Sequence, residues 1–437
     1  MDFIIGIILL ISYFLLIRFA AKGGNLMIGF FVMAIIWVFF SIVGGQLTWE
    51  SAMLDVFQGG PESWGATAVI VIFGSWFGRI LIETEIASSL IKKTVELSGE
   101  NPLFTTVLLC VVTTLIFTST FGAGAVVAIG IIVLPILMSL GVPKPLAVTA
   151  YLMSVGSGMY VNIVLFKQMQ GIFTEYLYDW NYLRFGFTAA GVQTLIVIFM
   201  LFFGLRKRKT YNLAAVVSAV PKEKEVPVYA LITPVIPVVL AIFFGWQPIP
   251  AFIVASLYAL AVCGKLPNYK EGTRLITRTF YDGVVDVASL LGFLFILPMF
   301  NRASEIAAPF FQAVIGDFVP TSTLVLCIAF AVMIPFGLFR GPLTIFGAGS
   351  ATVGILQGMG IFPVSLLFPL IYIPTIAMNL STCPTQSWNL WALNYTKVGA
   401  KEFMRTGVAW GWAAGALLNV WTIRRRNSHE TSDKSRN

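Results

Sequence analysis

The sequence predicts an all-α polytopic membrane protein made of two inverted-topology repeats, each with about five membrane helices plus a re-entrant helical hairpin. Three observations predict it. Of 437 residues, 58% are hydrophobic and 11% charged, whereas a soluble domain carries about 25% charged residues. Roughly ten to twelve stretches approach the ~20 apolar residues needed to cross ~30 Å of hydrocarbon. Finally, one hydrophobic stretch in each half is interrupted at a matching place by small, polar, helix-breaking residues.

The elements follow in order. Segments are expected near 2–20, 25–45, 64–82, 146–165 and 184–204, with a hairpin-like pair at 103–140 between the third and fourth. The second half repeats the order near 228–245, 248–264, 282–301, 362–380 and 407–423, with its pair at 321–360. The domain reading is therefore an N-terminal repeat over 1–204, a basic linker over 205–228, a C-terminal repeat over 229–423 and a polar tail over 424–437. The first segment has no basic region before it and no small-residue cleavage site after it, so it reads as a retained helix.

The halves match in register. The interval from Gly122 to Gly341 equals that from Gly141 to Gly360, and Asn162 and Asn379 fall two residues out of the same phase. Glu85-Ile86-Ala87 also resembles Glu305-Ile306-Ala307.

Charge sets the orientation. Arg206, Lys207, Arg208, Lys209, Lys222 and Lys224 crowd the linker, and Lys265, Lys270, Arg274 and Arg278 crowd the next loop. Short basic loops stay cytoplasmic, so both belong inside. The loop between Gln46 and Trp64 holds Glu50, Asp55 and Glu62 with no Lys or Arg and belongs outside. Arg18 and Lys22 put the end of the first helix inside, hence the N-terminus outside. Basic residues flank the last helix at both ends (Lys397, Lys401 and Arg405; Arg424, Arg425 and Arg426) and make opposing claims, so the repeat is followed there. The expected location is the inner membrane of the cell, multi-pass, with the bilayer and not nucleic acid as partner of the net charge of +8.

Several chemistries are excluded by residue type. Cys110, Cys263, Cys327 and Cys383 lie apart, and the only histidine is His429, so no zinc or haem site of Cys and His is expected. No Gly-x-x-x-x-Gly-Lys-[Ser/Thr] run is present, which removes ATP binding by a P-loop. No nucleophile–base set marks an enzyme.

The interruptions carry the candidate site. Backbone freed from helical bonding survives at membrane depth only where protein or a polar cavity satisfies it, and paired breaks point to a carrier's substrate site. The first break supplies Thr118, Ser119 and Thr120, which donate and accept, and Gly122 and Gly124, which let backbone approach a ligand. A helix starting near Ala125 would aim free N–H groups at the break. The alternative is a kink padded by small residues for packing. In the second break Arg340 and Gly341 stand among apolar residues with no acidic neighbour. A charge at membrane depth faces a cavity or partner by default, and a guanidinium fits a carboxylate with two parallel hydrogen bonds. The bland reading is an arginine reaching the headgroups.

The segments after each hairpin are also broken. Gly156 and Ser157 lead to Asn162 in the first, and Thr375 leads to Asn379, Ser381 and Thr382 in the second. Unwound carbonyls and hydroxyls there suit Na⁺ or a polar substrate, although asparagine also serves as interhelical glue. Asp286, one turn into an apolar helix, can carry a coupling proton or sit in the inner interface beside Arg278.

The run Phe117-Thr118-Ser119-Thr120-Phe121-Gly122-Ala123-Gly124 through Leu134-Pro135-Ile136-Leu137, the Gly141-Val142-Pro143-Lys144-Pro145 turn and the later Asn162 resemble the ion transporter superfamily. Within it the chain is most similar to gluconate permeases and citrate/dicarboxylate carriers. The resemblance implies inverted repeats with re-entrant hairpins, homodimeric assembly, and transport of small organic anions coupled to H⁺ or Na⁺, without other cofactor. Thr118-Ser119-Thr120 stands where dicarboxylate members carry Ser-Asn-Thr, and Phe339-Arg340-Gly341 departs altogether. A Na⁺/H⁺ antiporter of the same superfamily is the alternative function.

Overall fold

The computed structural model describes residues 1–98, 101–206, 226–316 and 322–434. The expected basic linker falls mostly outside the described residues. Every regular element among them is helical. Six helices are long and apolar enough to cross a membrane, or seven if the pair bent by 64° at Tyr160–Asn162 counts as one span.

Two apolar helices open the chain, α1 (Asp2–Ala21) and α2 (Leu26–Val43). Gly23, at φ 81°, turns the chain between them, and Asn25 caps α2 by accepting from Met27 N and Ile28 N. Short helical pieces from Trp49 lead into α3 (Gly65–Glu83). Glu85, in the left-handed region, then turns the chain into the amphipathic α4 (Ile86–Leu97).

The first hairpin is α5 (Pro102–Phe117) and α6 (Ala123–Ser139). At 1.5 Å per residue its arms are ~24 and ~26 Å, short of a full crossing, as a re-entrant pair requires. Asn101 and Pro102 start it as cap and first helical residue. The broken helix follows as α7 (Lys144–Met159) and α8 (Ile163–Gln170), then the long α9 (Trp180–Leu205).

The second half restates this order with different lengths. A short pair, α10 (Ile236–Phe244) and α11 (Pro248–Val262), replaces the two long opening helices. The expected 282–301 segment is only the middle of α12 (Tyr269–Ile315), 47 residues capped by Asn268. Where the first half breaks at Glu85, α12 runs on, because no residue there adopts a positive φ. The second hairpin is α13 (Thr323–Met333) and α14 (Gly349–Gly358), joined by a 3₁₀ turn and an irregular tip. Next comes α15 (Val364–Pro374), which widens into a π-helical turn at Thr375–Leu380. After α16 (Ser387–Thr396), α17 (Ala400–Lys434) closes the described chain. The expected ten to twelve passes thus include shorter helices, both arms of the first hairpin among them, that are not long enough to cross alone.

Packing interlocks the halves. α1 and α2 pack on α12 of the other half, and α11 packs on α3. The equivalent helices α3 and α12 run antiparallel: Gly60, in the short helical piece that leads into α3, faces Pro298 and Met299, whereas Trp76 of α3 faces Gly283. An antiparallel relation between equivalent elements is what inverted repeats require. Outward side chains of α1 such as Ile4, Phe14 and Leu15 are exposed, as lipid-facing residues are.

Candidate functional site

Both hairpin tips and both helix breaks come together in the core. In the first tip, α5 ends at Phe117, the chain turns, and Gly122 adopts φ 106° and ψ 155° to start α6. That conformation is open to glycine and strained for other residues. Gly74 of α3 faces Val164 of α8, and Gly78 faces Thr120 and the Phe121 carbonyl, a small-xxx-small stripe that admits the tip closely.

Asn162 fastens this tip to the first break. Its Nδ2 donates to Phe117 O at 3.0 Å and Thr120 O at 3.1 Å, and its Oδ1 accepts from Val164 N and Leu165 N. The amide is therefore saturated by protein. The carbonyls released at the same break are also taken: Tyr372 Oη donates to Met159 O at 3.1 Å, Tyr182 Oη to Tyr160 O at 2.5 Å, and Tyr178 Oη to Val161 O at 2.7 Å. One of these tyrosines, Tyr372, comes from the second half. Unwound carbonyls offered to an ion were expected here; the structure gives them to tyrosine hydroxyls.

The second break differs. Asn379 is fully buried, and among the described residues neither its Oδ1 nor its Nδ2 has a hydrogen-bond partner. Such a group carries an uncompensated desolvation cost unless a ligand, ion or water answers it. Thr375 Oγ1 donates to Ile371 O and accepts from Ile345 N. Ser381 Oγ donates to Ile376 O and accepts from Gln193 Nε2, and Thr382 Oγ1 donates to Met378 O. Gly156 lies so close to Ser381 and Gln193 that a Cβ would overlap both; it is where the broken helices cross. Ser157 bonds within its own helix, to Met153 O.

A cavity of about 320 Å³ lies between the tips. Phe121, Gly122 and Ala123 of the first tip line it, opposite Arg340 and Phe346 of the second. Thr385, Gln386, Ser387 and Trp388 reach it from beyond the second break, and Asp286, Ser289 and Phe293 from α12. The α1–α2 turn, Gly23 to Asn25, closes one side. Of the sequence candidates, Gly122, Arg340 and Asp286 line this cavity. Gly124 lies directly beneath the Asp286 carboxylate. Thr118 caps α5 by donating to Leu115 O, and Ser119 turns back weakly to Ile116 O. Thr120 is buried, with its Oγ1 unpartnered among the described residues. Gly341 sits where a Cβ would overlap the Phe336 carbonyl.

Arg340 stands on strained backbone. Phe339 and Arg340 both have positive φ, 52° and 57°, in a region costly for non-glycine residues. The tip is held by Phe339 N donating to Cys383 Sγ and by Ala348 N donating to Arg340 O. Among the described residues the Arg340 guanidinium has no carboxylate within 4.0 Å.

Asp286 is paired instead with Arg79, not with Arg278, which reaches Glu83. Arg79 Nε and Nη2 donate to the two Asp286 carboxylate oxygens, each at 2.5 Å. This fork joins α3 to α12 and lays a carboxylate against the first turn of α6, where the positive end of the helix favours it. The anion expected at that N-terminus is therefore a side chain of the protein. Arg79 also stands in an apolar run, but Glu83 and Glu85 follow it closely, so its local sequence does not single it out as that of Arg340 does. Asn25, Ser289 and Gln386 gave no signal, since nothing in their local sequence marks them.

No protein family profile matches the chain, and no curated protein matches it in sequence. Among solved structures it is similar to the YdaH transporter of Alcanivorax borkumensis, described as having an unusual topology. The TM-score is 0.58 at 14% identity, over 91% of this chain and 97% of that one. At that identity the likeness concerns architecture alone: this chain has an all-helical, polytopic membrane fold similar to that of the solved structure.

Proposed function

We propose that the chain is a secondary carrier of small organic anions of the gluconate, citrate or dicarboxylate type, coupled to H⁺ or Na⁺, working by alternating access around the cavity between the hairpin tips. The observation that carries the reading is Arg340. It is the cavity's one charged side chain without an opposite partner among the described residues, and a partly buried guanidinium at membrane depth calls for a carboxylate. The Na⁺/H⁺ antiporter reading draws less support, because the cavity's only carboxylate already holds an arginine. Unpartnered Asn379 beside the crossing of the broken helices supports the second break as the place where coupling ion or substrate is answered. The cavity reaches the α1–α2 turn, which carries Lys22; by the positive-inside rule that side is cytoplasmic.

Uptake of labelled organic anions into proteoliposomes tests the reading. Arg340→Ala should weaken apparent affinity about ten- to hundredfold, the loss of a charge-assisted hydrogen bond of roughly 1.5–3 kcal/mol. Arg340→Lys should recover part, because it keeps the charge and loses the fork. An Arg340→Ala protein with the parent's anion affinity would overturn the assignment.

A further inference from the structure

We propose that the cavity selects hydroxylated monocarboxylates over dicarboxylates, and that Asp286 sets the rule. The proposal rests on the reading of this cavity as the substrate site. Its side chains bring two formal charges to the space, Arg340 and Asp286. A substrate carboxylate goes to Arg340. A second carboxylate on the same small molecule has no cation left to meet in the cavity, because Arg79 is not part of the lining and both its hydrogen bonds are spent on Asp286. It would instead confront the Asp286 carboxylate, and like charges brought together in a desolvated site exclude the wrong partner.

Asp286 cannot easily step aside. Both its oxygens are held by the Arg79 fork, and Gly124 of the hairpin helix packs directly against them. Fixed there, its free lone pairs are acceptors: a carboxylate offers about four sites and Arg79 uses two. Substrate hydroxyls donate to such acceptors. The remaining polar lining, Ser289, Asn25, Thr385, Gln386 and Ser387, both donates and accepts, as a hydroxylated chain requires. An ammonium group is a poorer match than a hydroxyl, since it only donates and cannot take the hydrogen bonds that the lining hydroxyls and amides offer.

Competition of labelled D-gluconate uptake by unlabelled D-gluconate, succinate, butyrate and L-serine, with the parent protein in proteoliposomes, tests this. Gluconate should compete at least about tenfold more tightly than the other three, a difference of about 1.4 kcal/mol. Asp286→Asn should raise succinate affinity and shrink the gluconate-to-succinate ratio severalfold. If that variant folds poorly, Arg79→Gln with Asp286→Asn keeps a neutral hydrogen-bonding pair and should show the same shift. Succinate competing as well as gluconate in the parent, serine doing so, or an unchanged ratio in both variants would overturn the proposal. The carrier reading itself fails separately: then no anion competes, or Arg340→Ala competes like the parent.

Discussion

Gly156 of the first broken helix lies against Ser381 of the second, with no space for even a methyl group between them. The two interruptions meet at this crossing, and Gln193 completes it by donating to Met153 O and to the Ser381 hydroxyl. Gly156→Ala should therefore cost about 1–3 kcal/mol by overpacking, read as a lower melting temperature in detergent. Ser381→Ala removes the atom that would collide, so the double variant should recover part of the loss. Simple additivity of the two changes would argue against the contact.

The matched asparagines should behave differently. Asn162→Ala removes a helix cap and strips donors from the Phe117 and Thr120 carbonyls. A cost of at least about 2 kcal/mol is expected. Asn379→Ala breaks no hydrogen bond among the described residues and should leave the melting temperature at or above the parent's. Its effect should fall on transport. A large drop in stability for Asn379→Ala with normal uptake would show that its role is structural.

Tyr178→Phe should leave the Val161 carbonyl without its donor, whereas Tyr372→Phe removes one of two donors to the Met159 carbonyl, which keeps Asn162 N. The first should cost about 1–3 kcal/mol if the carbonyl stays dry, and the second less. Substrate preference should not change, which competition assays would check.

Removing one member of the Arg79–Asp286 pair should hurt more than removing both. A lone buried charge is the costly state, and a well-packed neutral pair is close to harmless. Thus Arg79→Met should lower the melting temperature, and Arg79→Met with Asp286→Leu should restore most of it. Equal destabilisation by the single and double changes would mean that the pair contributes through packing alone.

The orientation is open to labelling. Cysteine at Asn25, which lines the cavity, and at Lys222, in the basic linker, should both react with impermeant reagents applied from the cytoplasmic side. Reaction only from outside would reverse the topology.

Much of this is legible in the sequence. Length and apolarity announce α1, α2, α3 and α9, and the two hairpins show in their glycine and proline punctuation. Asn162 and Asn379 were visible as a pair. Their opposite treatment was not, because it depends on the Phe117 and Thr120 carbonyls of the first hairpin tip, which are 45 and 42 residues from Asn162 in sequence. The same reason hid the partner of Asp286: about two turns back along its own helix lies Arg278, while the true partner sits on another helix. The 47-residue span of α12 escaped because its first turns carry charges, which hydropathy reads as loop.

That long helix has a consequence for how the protein moves. Asp286 near its middle bears on Gly124 of the first hairpin, and Ser304, Glu305 and Ala308 further along bear on Gly354 and Gly358 of the second. The two hairpins thus share one shaft. A ligand that held one hairpin differently against that shaft would bias the other through it. By thermodynamic reciprocity the bias is equal in both directions: a ligand that tightens the Arg340 side on the Asp286 side is itself tightened, by the same factor, by anything that steadies the first hairpin.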